Sequence, residues 1–288
     1  MPTLSVIIPT LHDISLAKTL SAIMQQVMPR DEVIVVGLFD KVLLSQFPRV
    51  TFIFTDVSVN AATARNKGMA AAKNEVFFFI DSDCIPDDNC LQIHRDHQTE
   101  GHKIIGGGVE IDNSNLWIRA DNLSMFHNFS STNPPDNKFL LPTLNLSVHR
   151  SVWEQLGGLD ESFPKAGGED SDWTLRMRLS GYELKFLPQA SVRHVPERGC
   201  WNKVYEHWYR SGQNNIRVRL KYNEQFRTPH WVRSAMCLKI FSPLIGAWVT
   251  LKIAFKAEIR TYWSCLPIVY ATKVIYCWGA AKTVGNLK

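Results

Sequence analysis

Four short, β-branched apolar runs, set apart by stretches of helical spacing, constrain the fold of this chain more than any other feature. Leu4-Ser5-Val6-Ile7-Ile8-Pro9-Thr10, Glu32-Val33-Ile34-Val35-Val36, Val50-Thr51-Phe52-Ile53-Phe54 and Val76-Phe77-Phe78-Phe79-Ile80 each predict a buried strand. Proline stops the first and Gly37 breaks the second. Between them, residues 14–26 carry Ile14, Leu16, Leu20, Ile23 and Met24 at helical spacing, and Ala61 to Lys73 is alanine-rich. Strand and helix in alternation imply an α/β sheet with parallel strands. Such sheets bind ligands beyond the C-terminal ends of their strands. That gathers Pro9-Thr10, Gly37 to Asp40, and Asp81 onward at one edge.

After residue 85 the alternation weakens. Lys103 to Ile111 reads as a strand interrupted by glycines, 130–137 as a polar proline-rich loop, 171–180 as a short helix and 184–187 as a short strand. From about residue 201 the character changes. Trp201 to Tyr222 is aromatic, basic and helical in spacing, and residues 235–256 and 262–281 are strongly apolar, interrupted by Lys239, Lys252, Lys273, Pro243 and Pro267. We therefore divide the chain into a catalytic domain, 1–200, and a helical segment, 201–288. Charge divides similarly: residues 1–192 hold 16 Lys and Arg against 23 Asp and Glu, a net −7, and residues 193–288 hold 16 against 4, a net +12. The first part suits acidic chemistry and the second an anionic partner. The six cysteines are scattered without a C-x-x-C pair, which argues for reduced thiols rather than a structural zinc site. The first residues show no signal-peptide pattern, so a cytoplasmic chain is expected, and its N-x-[ST] triplets are taken as chance.

Asp81-Ser82-Asp83 places two carboxylates just past a buried strand, where they suit a hard divalent cation. The competing reading is a polar loop. Gly167-Gly168-Glu169-Asp170 sets an acidic pair after two glycines, and ordinary helix capping is its alternative. Arg65 lies in the basic stretch Thr63 to Gly68, which also reads as a solvated helix face. His194 follows a strand-like segment and is either a ligand or a structural histidine.

Taken in order, Ser5 to Thr10, Ala64-Arg65-Asn66-Lys67-Gly68, Phe79-Ile80-Asp81-Ser82-Asp83, Leu144-Asn145-Leu146-Ser147, Leu156-Gly157-Gly158-Leu159-Asp160-Glu161-Ser162-Phe163, Gly168-Glu169-Asp170, Leu175-Arg176 and Gly181-Tyr182 resemble glycosyltransferase family 2. The resemblance spans about residues 3–195. It implies a GT-A type nucleotide-binding sheet flanked by helices, here with a helical C-terminal segment. It further implies inverting sugar transfer from a nucleotide-diphospho-sugar, a UDP-sugar being favoured, to a glycan or lipid-linked hydroxyl, assisted by Mn²⁺ or Mg²⁺. At matching positions, Pro9 and Thr10 would lie near the nucleotide and Arg65 near the base or diphosphate. Asp81 would approach the ribose and metal. Asp83 would ligate the metal, with His194 completing the site. Asp170 would be the general base, with Glu169 orienting it or touching the acceptor. One departure is clear: Gly37 stands where the family usually carries an aspartate, and Asp40 is the nearest substitute. That departure motivates the alternative of a degenerate, membrane-bound scaffold subunit. A haloacid dehalogenase-type phosphatase expects its Asp-x-Asp near the first strand, which this chain lacks.

The C-terminal segment admits three readings: interfacial helices on an anionic leaflet, a transmembrane hairpin, or a second core. The first is preferred and places the protein peripherally on the inner face of the cell membrane. Nucleic acid is set aside because the long apolar stretches suit lipid better.

Overall fold

A computed structural model of the chain describes residues 1–111, 113, 115–164 and 167–287. They form two compact units: Met1–Glu110 with Phe129–Phe163 and Glu169–Val195, and Ile111–Asn128 with Pro164–Gly168 and Pro196–Lys288.

The first unit is built on one sheet. Its opening half is β1 (Leu4–Leu11), α1 (Leu16–Met24), β2 (Glu32–Leu38), α2 (Val42–Gln46), β3 (Val50–Phe54), α3 (Ala61–Ala71) and β4 (Val76–Ile80). The four strands run parallel in the order β3-β2-β1-β4. The core residues of β1, β2 and β4 are almost wholly buried, as continuous apolar runs between helical layers require. The second half comprises β5 (Cys84–Pro86), α4 (Cys90–Thr99) and β6 (Ile104–Glu110). After α5 (Leu116–Phe126), which belongs to the other unit, come β7 (Asp136–Asn137), β8 (Asn145–His149), α6 (Arg150–Leu156), α7 (Glu169–Leu179) and β9 (Lys185–His194). β8 adds antiparallel to β4, and the sheet continues as β8-β6-β9-β5. The two strand-like segments at 184–187 and 190–193 are one strand: its register against β6 jumps from Leu187 opposite Gly107 to Ser191 opposite Gly108. The stretch read as a loop at 130–137 contains β7, a two-residue strand paired with the start of β9.

Two buried polar assemblies pin this sheet. The Arg95 guanidinium donates from Nη1 and Nη2 to both oxygens of Asp31, at 3.1 and 2.9 Å, and both side chains are about 1% exposed. Asp31 also accepts from the backbone N–H groups of Leu4 and Met28, tying α4 to the entrances of β1 and β2. His94 lies between Ser147 (2.9 Å) and Asn145 (3.0 Å) of β8, and burial pushes its imidazole down to about 4.

The second unit is helical. α5 joins α8 (Trp201–Lys221), α9 (Ala235–Ala254) and α10 (Leu266–Asn286), with 3-10 segments at His230–Arg233 and Ala257–Cys265. α10 packs against α8, α9 and α5. The wholly buried Asp121 of α5 accepts from Arg198 Nε at 2.6 Å and from Trp208 Nε1 at 2.7 Å.

Candidate active site

The C-terminal end of β4 meets the start of α7 around one arginine. β4 ends at Ile80 and the chain turns at once, Cys84 N–H bonding back to the Asp81 carbonyl at 3.0 Å. Ser82 anchors the turn. Its hydroxyl donates to Asp13 at 3.1 Å, and its carbonyl accepts from Thr19 at 2.7 Å. Asp81 and Asp83 are thereby given different partners.

Asp81 accepts from Arg65 Nη2 at 2.6 Å. Arg65 projects from α3, whose first turn is capped by Asn60, its Oδ1 accepting from Thr63 N–H at 2.8 Å. Arg65 Nη1 reaches Glu169 at 3.3 Å, and Nε is buried with no partner among the described residues. Burial opposes the guanidinium charge. Asp81, Glu169 and Asp170 outweigh it and raise the pKa above its ordinary value, so Arg65 remains a cation. Asp170 is half-buried, and Ser171 N–H donates to it at 2.7 Å. Burial pushes the Asp170 carboxyl above the usual carboxylate range. Arg65 and Ser171 pull against that, and Asp81 adds to it. Glu169, Asp170 and Asp172 all sit in the first turn of α7, where the helix dipole favours negative charge.

Asp83 pairs with a different element. Its Oδ2 lies 3.4 Å from His194 Nε2, and its carbonyl accepts from Val195 N–H at 2.8 Å. The pairing of β5 with β9, Cys84 opposite His194, sets this meeting. The donor atoms of Asp83, Cys84 and His194 all lie within 4.8 Å of one another. Asp81 is not a member of that group; its partner is Arg65. Of the three residues expected at a metal, Asp83 and His194 thus lie together, with Cys84, and Asp81 lies against Arg65. Cys84 is a neighbour that sequence reasoning passed over, because nothing marked the thiol as facing the site.

At the end of β1, Pro9 and Thr10 pair with Val36 and Gly37. Thr10 Oγ1 is buried and makes no hydrogen bond among the described residues. Gly37 has φ +140°, and a β-carbon there would run into the Thr10 carbonyl oxygen, so this backbone has no room for an acidic side chain. Asp40 is exposed, and its carboxylate accepts from Val42 N–H at 2.9 Å at the entry to α2. No contact among the described residues joins it to Arg65 and Asp81.

What aligns α3 with α7 is a clamp on residues 156–163. Asn66 donates to the Leu159 carbonyl and accepts from Leu159 N–H, both at 2.9 Å. Arg176 of α7 donates to the carbonyls of Leu156 (2.9 Å) and Gly158 (2.5 Å) and to Asp172 (3.0 Å). Trp173 Nε1 holds the Gly157 carbonyl at 2.9 Å. The sequence displayed these residues as parts of motifs without showing that they bond to one another across the chain.

Comparison with known proteins agrees with this architecture. The sequence pattern of "Glycosyl transferase family 2" matches residues 5–152, just over half of the chain. The chain is 28% identical over 252 residues to glycosyltransferase AglE of Haloferax volcanii, covering 81% of this chain and 80% of that protein. A shorter match, 34% over 86 residues, covers 30% of this chain and 20% of the probable glycosyltransferase YdaM of Bacillus subtilis. Among solved structures, the mannosyltransferase PcManGT of Pyrobaculum calidifontis, in complex with GDP-Man and Mn²⁺, superposes with a TM-score of 0.60 at 17% identity, covering 96% of this chain and 87% of that one. GalNAc-T7 with UDP, GalNAc and Mn²⁺ superposes with a TM-score of 0.59 at 14% identity, covering 93% of this chain and 55% of that one. The chain shares their GT-A fold, a central sheet flanked by helices, and has a helical C-terminal part. The family pattern matches more than half of the sequence, and the chain belongs to glycosyltransferase family 2.

Proposed function

We propose that this glycosyltransferase moves a sugar from a nucleotide-diphospho-sugar, with a UDP-sugar favoured, to a hydroxyl of a glycan or lipid-linked acceptor, with inversion. The observation that carries the reading is Arg65, shared between Asp81 and Glu169 beside a carboxyl of raised pKa, Asp170. Asp170 is the general base: it takes the proton of the acceptor hydroxyl as that oxygen attacks the anomeric carbon. The bond from that carbon to the diphosphate breaks in the same step, its electron pair leaving with the diphosphate oxygen. A single displacement of this kind inverts the centre. Glu169 keeps Arg65 fixed. Arg65, with one buried N–H still unpaired among the described residues, is placed to meet the growing charge on the diphosphate. Thr10, whose buried hydroxyl has no partner among the described residues, serves the nucleotide. With glycine at 37, ribose recognition falls to other groups, Asp81 first.

The donor set fits a divalent cation: a carboxylate oxygen and an imidazole nitrogen, with a thiol at hand, suit Mn²⁺ better than Mg²⁺. Asp83 and His194 would hold it. When bound it neutralises the departing diphosphate and acts as a Lewis acid. The complexes of PcManGT and GalNAc-T7, with nucleotide or nucleotide-sugar and Mn²⁺, support this reading by likeness of fold.

A panel of nucleotide-sugars, offered with a membrane-lipid extract as the source of acceptors, tests the proposal. Release of nucleoside diphosphate from one donor class is expected, and excess EDTA is expected to abolish it. Release unchanged by EDTA removes the cation role of Asp83 and His194. Absence of release from every donor favours the scaffold reading.

A further inference from the structure

α9 is apolar on both faces but covered on only one. Leu238, Ser242, Gly246, Thr250 and Ile253, spaced about one helical turn apart, are buried. Trp278 of α10 donates to Ser242 at 3.1 Å, and Gly246 faces Tyr270 and Val274. The opposite face carries Met236, Ile240, Leu244, Trp248, Leu251 and Phe255, each 51–84% exposed. The strip runs the length of a 20-residue helix, about 30 Å at 1.5 Å per residue. Trp263, just beyond it, is 74% exposed. A helix apolar all round belongs in a core or in lipid, and an uncovered apolar strip of this length marks a docking surface.

Charge identifies the occupant. Between Glu224 and Glu258 the chain holds five Lys and Arg and no carboxylate. Lys239 and Lys252 are exposed on α9, and Lys252 lies over the Trp248 ring, 4.8 Å from its centroid. A second copy of the chain would set these cations against themselves across a two-fold axis with no carboxylate to answer them. An anionic lipid surface neutralises them. It also receives tryptophan at its boundary and the apolar strip below.

The packing of α10 decides between lying and spanning. α9 is long and apolar enough to cross a membrane, with a mean hydropathy of 1.4. Its packed partner α10 is not free to follow. Lys273 of α10 turns inward, its Nζ donating to the Ser124 carbonyl at 2.8 Å and lying 4.3 Å from the Trp208 ring centroid. α8, against which α10 packs, carries Arg210, Arg217, Arg219 and Lys221. A spanning α9 would drag these charged helices into hydrocarbon, at a cost no contact in the unit offsets. Of the readings the sequence left open, a pair of interfacial helices reduces to one: α10 packs against α8, α9 and α5, and the long uncovered apolar strip lies on α9.

We infer that the outer face of α9 lies flat on an anionic membrane surface, its apolar side chains inserted and its lysines at the headgroups. The inference stands on this helical unit and does not depend on the chemistry proposed for the sheet. Flotation of the full chain with phosphatidylcholine vesicles, and with vesicles containing about a third phosphatidylglycerol, tests it. The chain is expected to float with the anionic vesicles, to be released by salt, and to wash off in alkaline carbonate. Leu244→Glu with Trp248→Glu is expected to weaken binding by roughly tenfold or more. Lys239→Glu with Lys252→Glu provides a second variant that leaves all buried contacts intact and is expected to abolish the preference for anionic lipid. Unaltered circular dichroism confirms that each variant folds. Wild-type protein that ignores both vesicles overturns the inference, as does a Leu244/Trp248 variant that binds as before. A concentration-dependent dimer that the same substitutions dissolve, without vesicle binding, assigns the face to a second copy. Retention through carbonate washing overturns the flat orientation.

Discussion

Arg65 brings one positive charge to Asp81, Glu169 and Asp170, so the cluster is anionic before any ligand arrives. A diphosphate entering such a site needs further positive charge, which a cation at Asp83 and His194 would supply. Burial, with a smaller push from Asp81 and against the pull of Arg65 and Ser171, keeps the Asp170 carboxyl above its ordinary range and makes it a stronger base than a free aspartate. Asp170→Asn is expected to retain donor affinity and to lose transfer by about 10²–10⁴-fold. Because the base acts deprotonated, the wild-type rate falls as pH drops through the raised pKa, and the residual rate of the Asn variant lacks that limb. A pH–rate profile of both proteins reads this directly, and a variant with full turnover removes Asp170 from the role. His94 provides a second titration, of stability. Its folded pKa is pushed below the unfolded value, so the unfolded chain binds the proton first. Stability is therefore complete above about 6.5 and declines as pH falls towards 4, by roughly 3 kcal/mol at 1.36 kcal/mol per unit. His127, also lowered to about 4, acts in the same direction, so the readout is the difference between wild type and His94→Gln in thermal melts across that range.

Elements in this protein are positioned by polar ties that cross long stretches of sequence. The clamp on 156–163 is the clearest case. Asp172 is wholly buried and takes its charge partner from Arg176, which also holds two loop carbonyls. Removing Arg176 leaves Asp172 without that cation and frees the loop that holds α3 against α7. Arg176→Ala is expected to cost about 2–4 kcal/mol of unfolding free energy, measured by urea denaturation, with a loss of turnover larger than the loss of donor binding. Unchanged stability would show the clamp to be redundant. The limits of sequence reading follow the same ties. β1 to β4 were legible because each is a continuous apolar run. β8 was not read as a strand, because Asn145 and Ser147 interrupt its apolar pattern; His94 satisfies both from α4. α5 escaped for a related reason. Asp121, Asn122 and Ser124 are buried on it, so its inward face carries polar groups where periodicity looks for apolar ones. The bond between Arg95 and Asp31 joins residues 64 apart, and no local pattern announces such a pair.

At the level of the whole chain, the change of composition near residue 200 marks where the helical unit resumes, and the contacts show that it begins earlier. Residues 111–128 belong with the C-terminal helices, although they are inserted in the middle of the stretch that builds the sheet. The reason lies in the partners α5 keeps. Asp121 takes a hydrogen bond from Trp208 at 2.7 Å, Ser124 Oγ meets Thr272 Oγ1 at 2.7 Å, and Lys273 caps the Ser124 carbonyl at 2.8 Å. A chain cut at residue 200 keeps Arg198 for Asp121 but loses all three of these partners and the apolar cover of α10. The cost is then twofold: exposed apolar surface at about 25 cal/mol per Å², and buried polar groups on α5 stripped of their partners at about 1–3 kcal/mol each. Residues 1–200 alone are therefore expected to express as aggregate, or as a soluble chain in which limited proteolysis cuts first within 111–128. A fragment that resists proteolysis there and melts cooperatively at the temperature of the full chain would restore the boundary at 200 as the edge of an independent folding unit.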